Sequence, residues 1–282
     1  MNIRKYKLSI ITVTHDSDKH LEHYFRSLIN CKIEFDQLII IDSGSTDRQY
    51  LYQYKDYHNV IIHYDDNVGF CKGNNIGYSL VAEASEFVLF LNPDIIFTEN
   101  IIDGLVDAIN KDRKLFAITP KLLRYKFENQ DVILTDKIDS KGISNTFYGR
   151  FYDVESNQKD GSQAEDIEYP TAICGAFMFC RKEYLDIIKQ GNQIFIEKLY
   201  MYKEDIELCL RADTFNYRCA VIPVAKAYHG RGWNERSKVS KWQKLLSVNN
   251  DFYLLKYING FNKVVSFLYY TLKYFYVRFI EG

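Results

Sequence analysis

The chain has 282 residues, 47% hydrophobic and 26% charged, enough to bury one large core and too apolar for a disordered or collagen-like segment. Thirty-six Lys and Arg stand against 37 Asp and Glu, a formal charge of -1, so no overall basic excess draws it to nucleic acid. Six cysteines (31, 71, 174, 180, 209 and 219) form no C-x-x-C pair, and no secretory leader is read ahead of the first strand, which predicts a reduced, cytoplasmic protein.

Strand and helix signals alternate over the first 120 residues, the pattern of a mainly parallel sheet in an α/β fold. Strands are predicted at Lys7 to Thr14, Gln37 to Asp42, Val60 to Tyr64 and Phe87 to Asn92, short apolar runs of the kind buried on both faces. Leu21, Tyr24, Phe25 and Leu28 mark one helix, and a second spans Thr98 to Asn110. A fifth strand near Leu115 is expected to end at Pro120. From Arg124 to Tyr169 the signal weakens to a hairpin near Asp131 to Leu134 and a polar, mobile loop from Glu155 to Glu168. Order returns at Thr171 to Arg181, in a helix from Glu204 to Ala212 and in a strand from Arg218 to Val224. A helical tail follows, with Trp242, Leu245, Leu246, Asn249, Phe252 and Leu255 on one face and a break at Asn259-Gly260.

Ligands of open parallel sheets bind beyond the carboxyl ends of the strands. Asp42 closes QLIIID and Asp94 follows FVLFLN, so both carboxylates fall on that edge. Asp42 can accept hydrogen bonds from a base or ribose, and Asp94 can hold a phosphate-bound cation, although D-S-G-S is also an ordinary turn and N-P-D an ordinary helix cap. Between them, Gly69, Gly73 and Gly77 lie four apart on one helix face, suited to close approach of backbone or ligand and equally to helix packing. The turn after the first strand, Thr14 to Asp18, has no glycine, which removes the main support for a dinucleotide-binding oxidoreductase or a methyltransferase. His20 and His23, one turn apart, read as surface residues, and Lys111 to Lys114 as solvated loop.

Six blocks occur in order: SIITVT (9 to 14), LIIIDSGSTD (38 to 47), DNVGFCKGNNIG (66 to 77), VLFLNPD (88 to 94), GAFMFCR (175 to 181) and YKEDIELCLR (202 to 211). Together they resemble the family-2 inverting glycosyltransferases, in their rhamnosyltransferase-like branch, over about residues 7 to 235. The resemblance implies a GT-A fold, with a nucleotide-binding half over about 1 to 120, an acceptor half over about 121 to 235 and a C-terminal helical extension from 236. It implies that Thr12 and Thr14 line the nucleotide pocket, that Asp42 reads the pyrimidine, and that the Asn67 to Asn75 segment, with Gly69 and Lys72, closes over the nucleoside. Asn92 and Asp94 match the D-x-D metal motif with its first carboxylate replaced, and His229 matches a histidine completing a Mn2+ or Mg2+ site. Gly175 and Ala176 match positions beside the donor sugar or the acceptor hydroxyl, and Asp205 matches the catalytic base. The structural alternative for Glu204-Asp205 is an acidic first turn favoured by the helix dipole, with Glu207 and Arg211 as an i,i+4 pair.

Residues 261 to 282 are interrupted by Lys263, Lys273 and Arg278 and form no span. On a helix these charges and Glu281 fall opposite Phe261, Val265, Leu268, Leu272, Phe275 and Phe279. This amphipathic pattern fits a helix in the headgroup region of an anionic membrane, where a lipid-linked acceptor is met, with packing on the catalytic domain or on a second copy in a homo-oligomer as the competing reading. The expectation is a metal-dependent transferase, peripheral on the inner membrane face, moving sugar from dTDP-rhamnose or a UDP-hexose to a saccharide acceptor in cell-surface polysaccharide synthesis. The alternative is a non-catalytic glycan- or nucleotide-binding subunit.

Overall fold

The computed structural model describes residues 6–129, 131–161, 166–231 and 239–281. Its strands are β1 (Leu8–Thr14), β2 (Gln37–Ser43), β3 (Val60–Asp65), β4 (Phe87–Leu91), β5 (Ile95–Ile96), β6 (Leu115–Glu128), β7 (Asp131–Ser140), β8 (Ile143–Asn145), β9 (Phe151–Asp153), β10 (Phe177–Arg181) and β11 (Arg218–His229). Its helices are α1 (Asp18–Asn30), α2 (Gly69–Ser79), α3 (Ile102–Lys111), α4 (Lys182–Ile188), α5 (Glu204–Asp213), α6 (Lys241–Leu254) and α7 (Gly260–Phe275).

Nine strands form one mixed sheet in the order β3-β2-β1-β4-β10-β6-β11-β5, with β7 paired to β6. β1 to β4 are parallel, and the apolar runs of β1, β2 and β4 are buried on both faces, as such runs require. Helices α1 and α3 cover one face and α2, α4 and α5 the other, giving two apolar layers. A methyl group added at Gly73 or Gly77 would meet the side chains of Val13 or Ile11 at 2.9 or 2.4 Å, so those glycines let α2 lie directly on β1.

Two antiparallel pairings bring the second half of the chain to the carboxyl edge of the first. β10 enters between β4 and β6, with Phe177 opposite Leu91, and the Asn92 amide donates to the Ala176 carbonyl at 2.9 Å. β11 pairs β5 with His229 opposite Ile95, and the Gly230 amide donates to the Asp94 carbonyl at 2.8 Å.

Several elements differ from the sequence-based expectation. β6 passes through Pro120 instead of ending there: on one side its ladder to β10 stops at Ile118 and that to β7 starts at Leu122, while on the other Pro120 stays in register with Ile222 of β11. β11 runs on past Val224 to His229, across an irregularity in its register with β6 between Ile222 and Lys226. The 124 to 169 region holds β7, β8 and β9. What is described of the expected mobile loop is anchored by charge: buried Lys141 binds Glu155 and Glu168 at 3.2 and 2.9 Å, and buried Lys121 binds Asp160 at 2.8 Å. Residues 162–165 lie outside the described residues.

Candidate active site

A cavity of about 280 Å³ opens at the carboxyl ends of β1, β2 and β4. Thr14, Ser43, Asn67, Gly69, Asn92, Asp94 and Met201 all line it, so residues from four of the sequence blocks meet there. Asn67 is fixed by the Tyr200 hydroxyl, which donates to its carbonyl oxygen at 2.7 Å. Gly69 sits at φ +78°, and a Cβ there would come within 2.5 Å of the Tyr200 ring, so only glycine serves at this start of α2.

At one wall, His229 Nε2 lies 3.3 Å from Asp94 Oδ2, while its Nδ1 is 2.8 Å from Asp139 Oδ2. Asp139 is fully buried and also faces Arg124 Nε at 3.2 Å and Arg231 Nη1 at 3.4 Å. Arg231 continues to Asp153 at 2.8 Å. Burial disfavours the charged imidazole, but the Asp94 and Asp139 carboxylates outweigh it and raise His229 to about 10. Burial likewise works to raise Asp94, yet the neighbouring imidazolium leaves its carboxyl below the ordinary value.

Asp205 stands at the N-terminus of α5, in a second cleft of about 210 Å³ lined also by Tyr152, Asp153, Lys203, Glu204 and Arg231. Its Oδ2 accepts the Gly175 amide at 2.9 Å and its Oδ1 the Ile206 amide at 2.8 Å. A Cβ on Gly175 would lie 3.1 Å from that of Asp205, so this glycine lets the β10 approach close against the carboxylate. The cavity and the cleft are adjacent: Asp205 holds Gly175, and Ala176 holds Asn92, two residues before Asp94.

Burial raises the carboxyl of Asp205 despite those amides, and burial followed by the Asp205 charge raises Glu204 to about 8. Glu204 Oε2 is buried without a hydrogen-bond partner. A carboxyl raised from 4.5 to about 8 by folding favours the folded state at low pH and loses that contribution as pH rises towards 8. Glu204→Gln is therefore expected to melt several degrees above the wild type at pH 9 and within about 1 °C of it at pH 5, each kcal/mol being worth roughly 2–4 °C in a chain near this size. Identical melting curves at both pH values would remove the assignment of a neutral Glu204.

The loop ahead of α5 is strained. Tyr200, Tyr202 and Lys203 have φ of 61, 71 and 68°, a left-handed region that disfavours ordinary side chains by about 1–2 kcal/mol each. The buried Asn250 carboxamide of α6 holds this loop, donating through Nδ2 to the carbonyls of Leu199, Met201 and Tyr202 at 2.9, 2.9 and 2.8 Å. Lys203 Nζ adds an ion pair to Asp251 at 3.4 Å.

Other residues singled out in the sequence lie elsewhere. The Thr12 hydroxyl is buried against Tyr24 at 2.9 Å, beneath α1 and off the cavity wall. Asp42 is fully buried 2.7 Å from Arg48 Nε, at an angle that leaves both its oxygens without a hydrogen bond, and only its neighbour Ser43 lines the cavity. The Asn75 side chain clasps the backbone of Ile194 and Phe195 at 2.8–3.0 Å, and Lys72 is exposed. Glu207 and Arg211 form the expected pair, fully buried and joined by the Tyr257 hydroxyl at 2.5 Å. Conversely His20, expected at the surface, lines the cavity with its Nδ1 2.9 Å from the Tyr125 hydroxyl. Asp139, Arg124, Arg231 and Asn250 were not singled out, since single polar residues in segments of weak periodicity carry no local signal.

Among the described residues no cluster of three or more His, Cys, Asp or Glu gathers around one point. Asp94 and His229 nonetheless fit as the protein half of a cation site, because the bond from Nδ1 to Asp139 orients the other imidazole nitrogen toward Asp94, which lines the cavity.

Known proteins agree with this fold. The chain is 25% identical over 269 residues to the low-salt glycan biosynthesis hexosyltransferase Agl10 of Haloferax volcanii, covering 94% of this chain and 80% of that one. It is 26% identical over 249 residues to the rhamnosyltransferase WbbL of Escherichia coli, covering 82% and 86%. Among solved structures, GalNAc-T7 with UDP, GalNAc and Mn2+ superposes with a TM-score of 0.64 at 14% identity, over 96% of this chain and 56% of that one, a likeness of GT-A fold. Residues 9–187 match the glycosyl transferase family 2 signature, more than half of the chain, and the protein is a member of that family.

Proposed function

We propose that this protein transfers a sugar from a nucleoside diphosphate donor, dTDP-rhamnose or a UDP-hexose, to a saccharide acceptor, inverting the anomeric carbon, in glycan or polysaccharide biosynthesis. The observation that carries this reading is the adjacency of the two spaces: a cavity bearing Asp94 and, across the Gly175-Ala176 junction, a cleft bearing one anchored carboxylate, Asp205. The donor fills the cavity against Thr14, Ser43, Asn67 and Gly69, and the acceptor fills the cleft. The relatives' names support the substrate class, hexosyl and rhamnosyl transfer in glycan assembly.

In a single displacement the acceptor oxygen bonds to the anomeric carbon as the bond from that carbon to the phosphate oxygen breaks. Asp205 takes the acceptor hydroxyl proton, and the two backbone amides on its carboxylate hold the receiving oxygen toward the cleft. Asp94 and, on release of its Nε2 proton, His229 would hold a divalent metal, Mn2+ or Mg2+, which would supply positive charge to the departing diphosphate. Asp139 keeps His229 turned for that task. The acceptor is carried on a lipid and met at a membrane surface contacted by residues 261–281.

A thermal-shift panel tests the donor half of this reading. With dTDP, UDP, GDP and CMP, each with and without manganese or magnesium, dTDP or UDP plus metal is expected to raise Tm by roughly 5–10 °C at hundredfold excess over Kd. Absence of any shift from every nucleoside diphosphate, metal included, would remove it.

A further inference from the structure

Helix α7 and the turn Tyr276–Ile280 are inside out. The side facing the protein is the polar one: Tyr270 donates to the Gly149 carbonyl at 2.6 Å, Lys273 pairs with buried Asp251 at 2.6 Å, and Glu281 pairs with Lys244 at 3.1 Å. The side facing away carries Phe261, Leu268, Leu272, Phe275, Phe279 and Ile280, between 53 and 78% exposed. This reverses the arrangement of a helix covering a soluble core and eliminates packing of the apolar face on the catalytic domain. Lys273, assigned to the polar side of the helix by the sequence pattern, points inward because Asp251 receives it.

The exposed charges of this segment identify the occupant of its apolar face. Lys263 and Arg278 are exposed, while the one acidic residue of the segment, Glu281, is turned inward to Lys244. Two copies pairing through this face would bring cations together with no carboxylate between them, whereas anionic lipid headgroups supply the opposite charge. No helix among the described residues is long and apolar enough to cross a membrane, which leaves a helix lying in the interface. The face also adjoins the cleft. Exposed Phe147 packs edge-on against Tyr148 and Tyr148 against Tyr269 of α7, and this loop leads into β9, whose Phe151, Tyr152 and Asp153 line the Asp205 cleft.

We infer that the outward face of α7 seats in the headgroup plane of an anionic bilayer and sets the mouth of the Asp205 cleft beside that surface. The placement of an acceptor there rests on the reading of Asp205 as the base; the bilayer contact does not. Flotation of the full chain with phosphatidylglycerol-containing vesicles and with pure phosphatidylcholine vesicles tests it. The anionic vesicles are expected to carry at least tenfold more protein. Leu272→Glu combined with Phe279→Glu is expected to abolish flotation, and Lys263→Glu combined with Arg278→Glu to remove the preference for anionic lipid, each with unchanged circular dichroism. Equal recovery with and without vesicles overturns the inference, as does a dimer in light scattering that the Leu272→Glu, Phe279→Glu variant converts to monomer while the wild type fails to float. The nucleotide shift is read without vesicles, so failure of the donor assignment is seen separately.

Discussion

Asp205→Asn is expected to lower kcat by about 10³-fold and to leave nucleoside diphosphate affinity within about twofold of the wild type, the range associated with loss of a positioned general base. The amide preserves the volume against Gly175, where a backbone Cβ would already be 3.1 Å away, and its oxygen can still accept one of the two amides that anchor the carboxylate. What it cannot do is take a proton. Because burial raises the Asp205 carboxyl, the acidic limb of the wild-type rate profile should lie above the ordinary aspartate range, activity falling as pH drops through that raised value. Turnover and titration calorimetry with the nucleotide separate the outcomes: near wild-type turnover in the variant rejects the base, and a donor affinity lost in parallel assigns Asp205 to binding instead.

Asp139→Ala should have the largest effect on stability, a loss of about 3–5 kcal/mol, because it leaves cations buried without their counterion. The carboxylate has no exposure to water and faces His229, Arg124 and Arg231. Arg231 keeps Asp153 at 2.8 Å, whereas the inner nitrogen of His229 loses its only carboxylate. Urea unfolding gives the size of the change, and manganese affinity followed by nucleotide-dependent melting should fall with it, since the imidazole is no longer held toward Asp94. A destabilisation under about 1 kcal/mol would mean that water replaces the carboxylate and that the cluster is looser than its distances indicate.

The sheet and half of the site were legible in the sequence because both depend on local pattern. β1, β2 and β4 are buried at nearly every position, and Asp42 stands at the end of β2 and Asp94 just past β4, so strand assignment alone placed both at the carboxyl edge. Distance along the edge was less accessible: Asp42 ends up in a buried pair with Arg48, and Ser43 beside it reaches the cavity. Pro120 read as a terminator, so β6 was cut short where one of its ladders passes from β10 to β7, and β11 was ended at Val224, inside the irregularity of its register with β6. The region holding Asp139 looked unanchored because its anchors are cations, Lys121 and Lys141 buried and Arg124 half-buried, and apolar periodicity does not register those. The same cause reversed α6, where Lys244, Val248, Asn250, Asp251 and Leu254 are buried while Trp242, expected on the packed face, is 57% exposed.

The Asn250 carboxamide ties the C-terminal helices to the loop that leads into the candidate base, Asp205. Carbonyls of Leu199, Met201 and Tyr202 can face one another only while a shared donor draws them together, and the left-handed residues between them have every steric reason to revert. Chimaeras that exchange everything after Arg231 for a foreign anchor would thus inherit the strands and the acidic pair but lose the brace that aims them. On the proposed reading, the brace on the loop ahead of Asp205 and the apolar outward face belong to one stretch, residues 240–281, so a change that retunes the face is expected to disturb the loop.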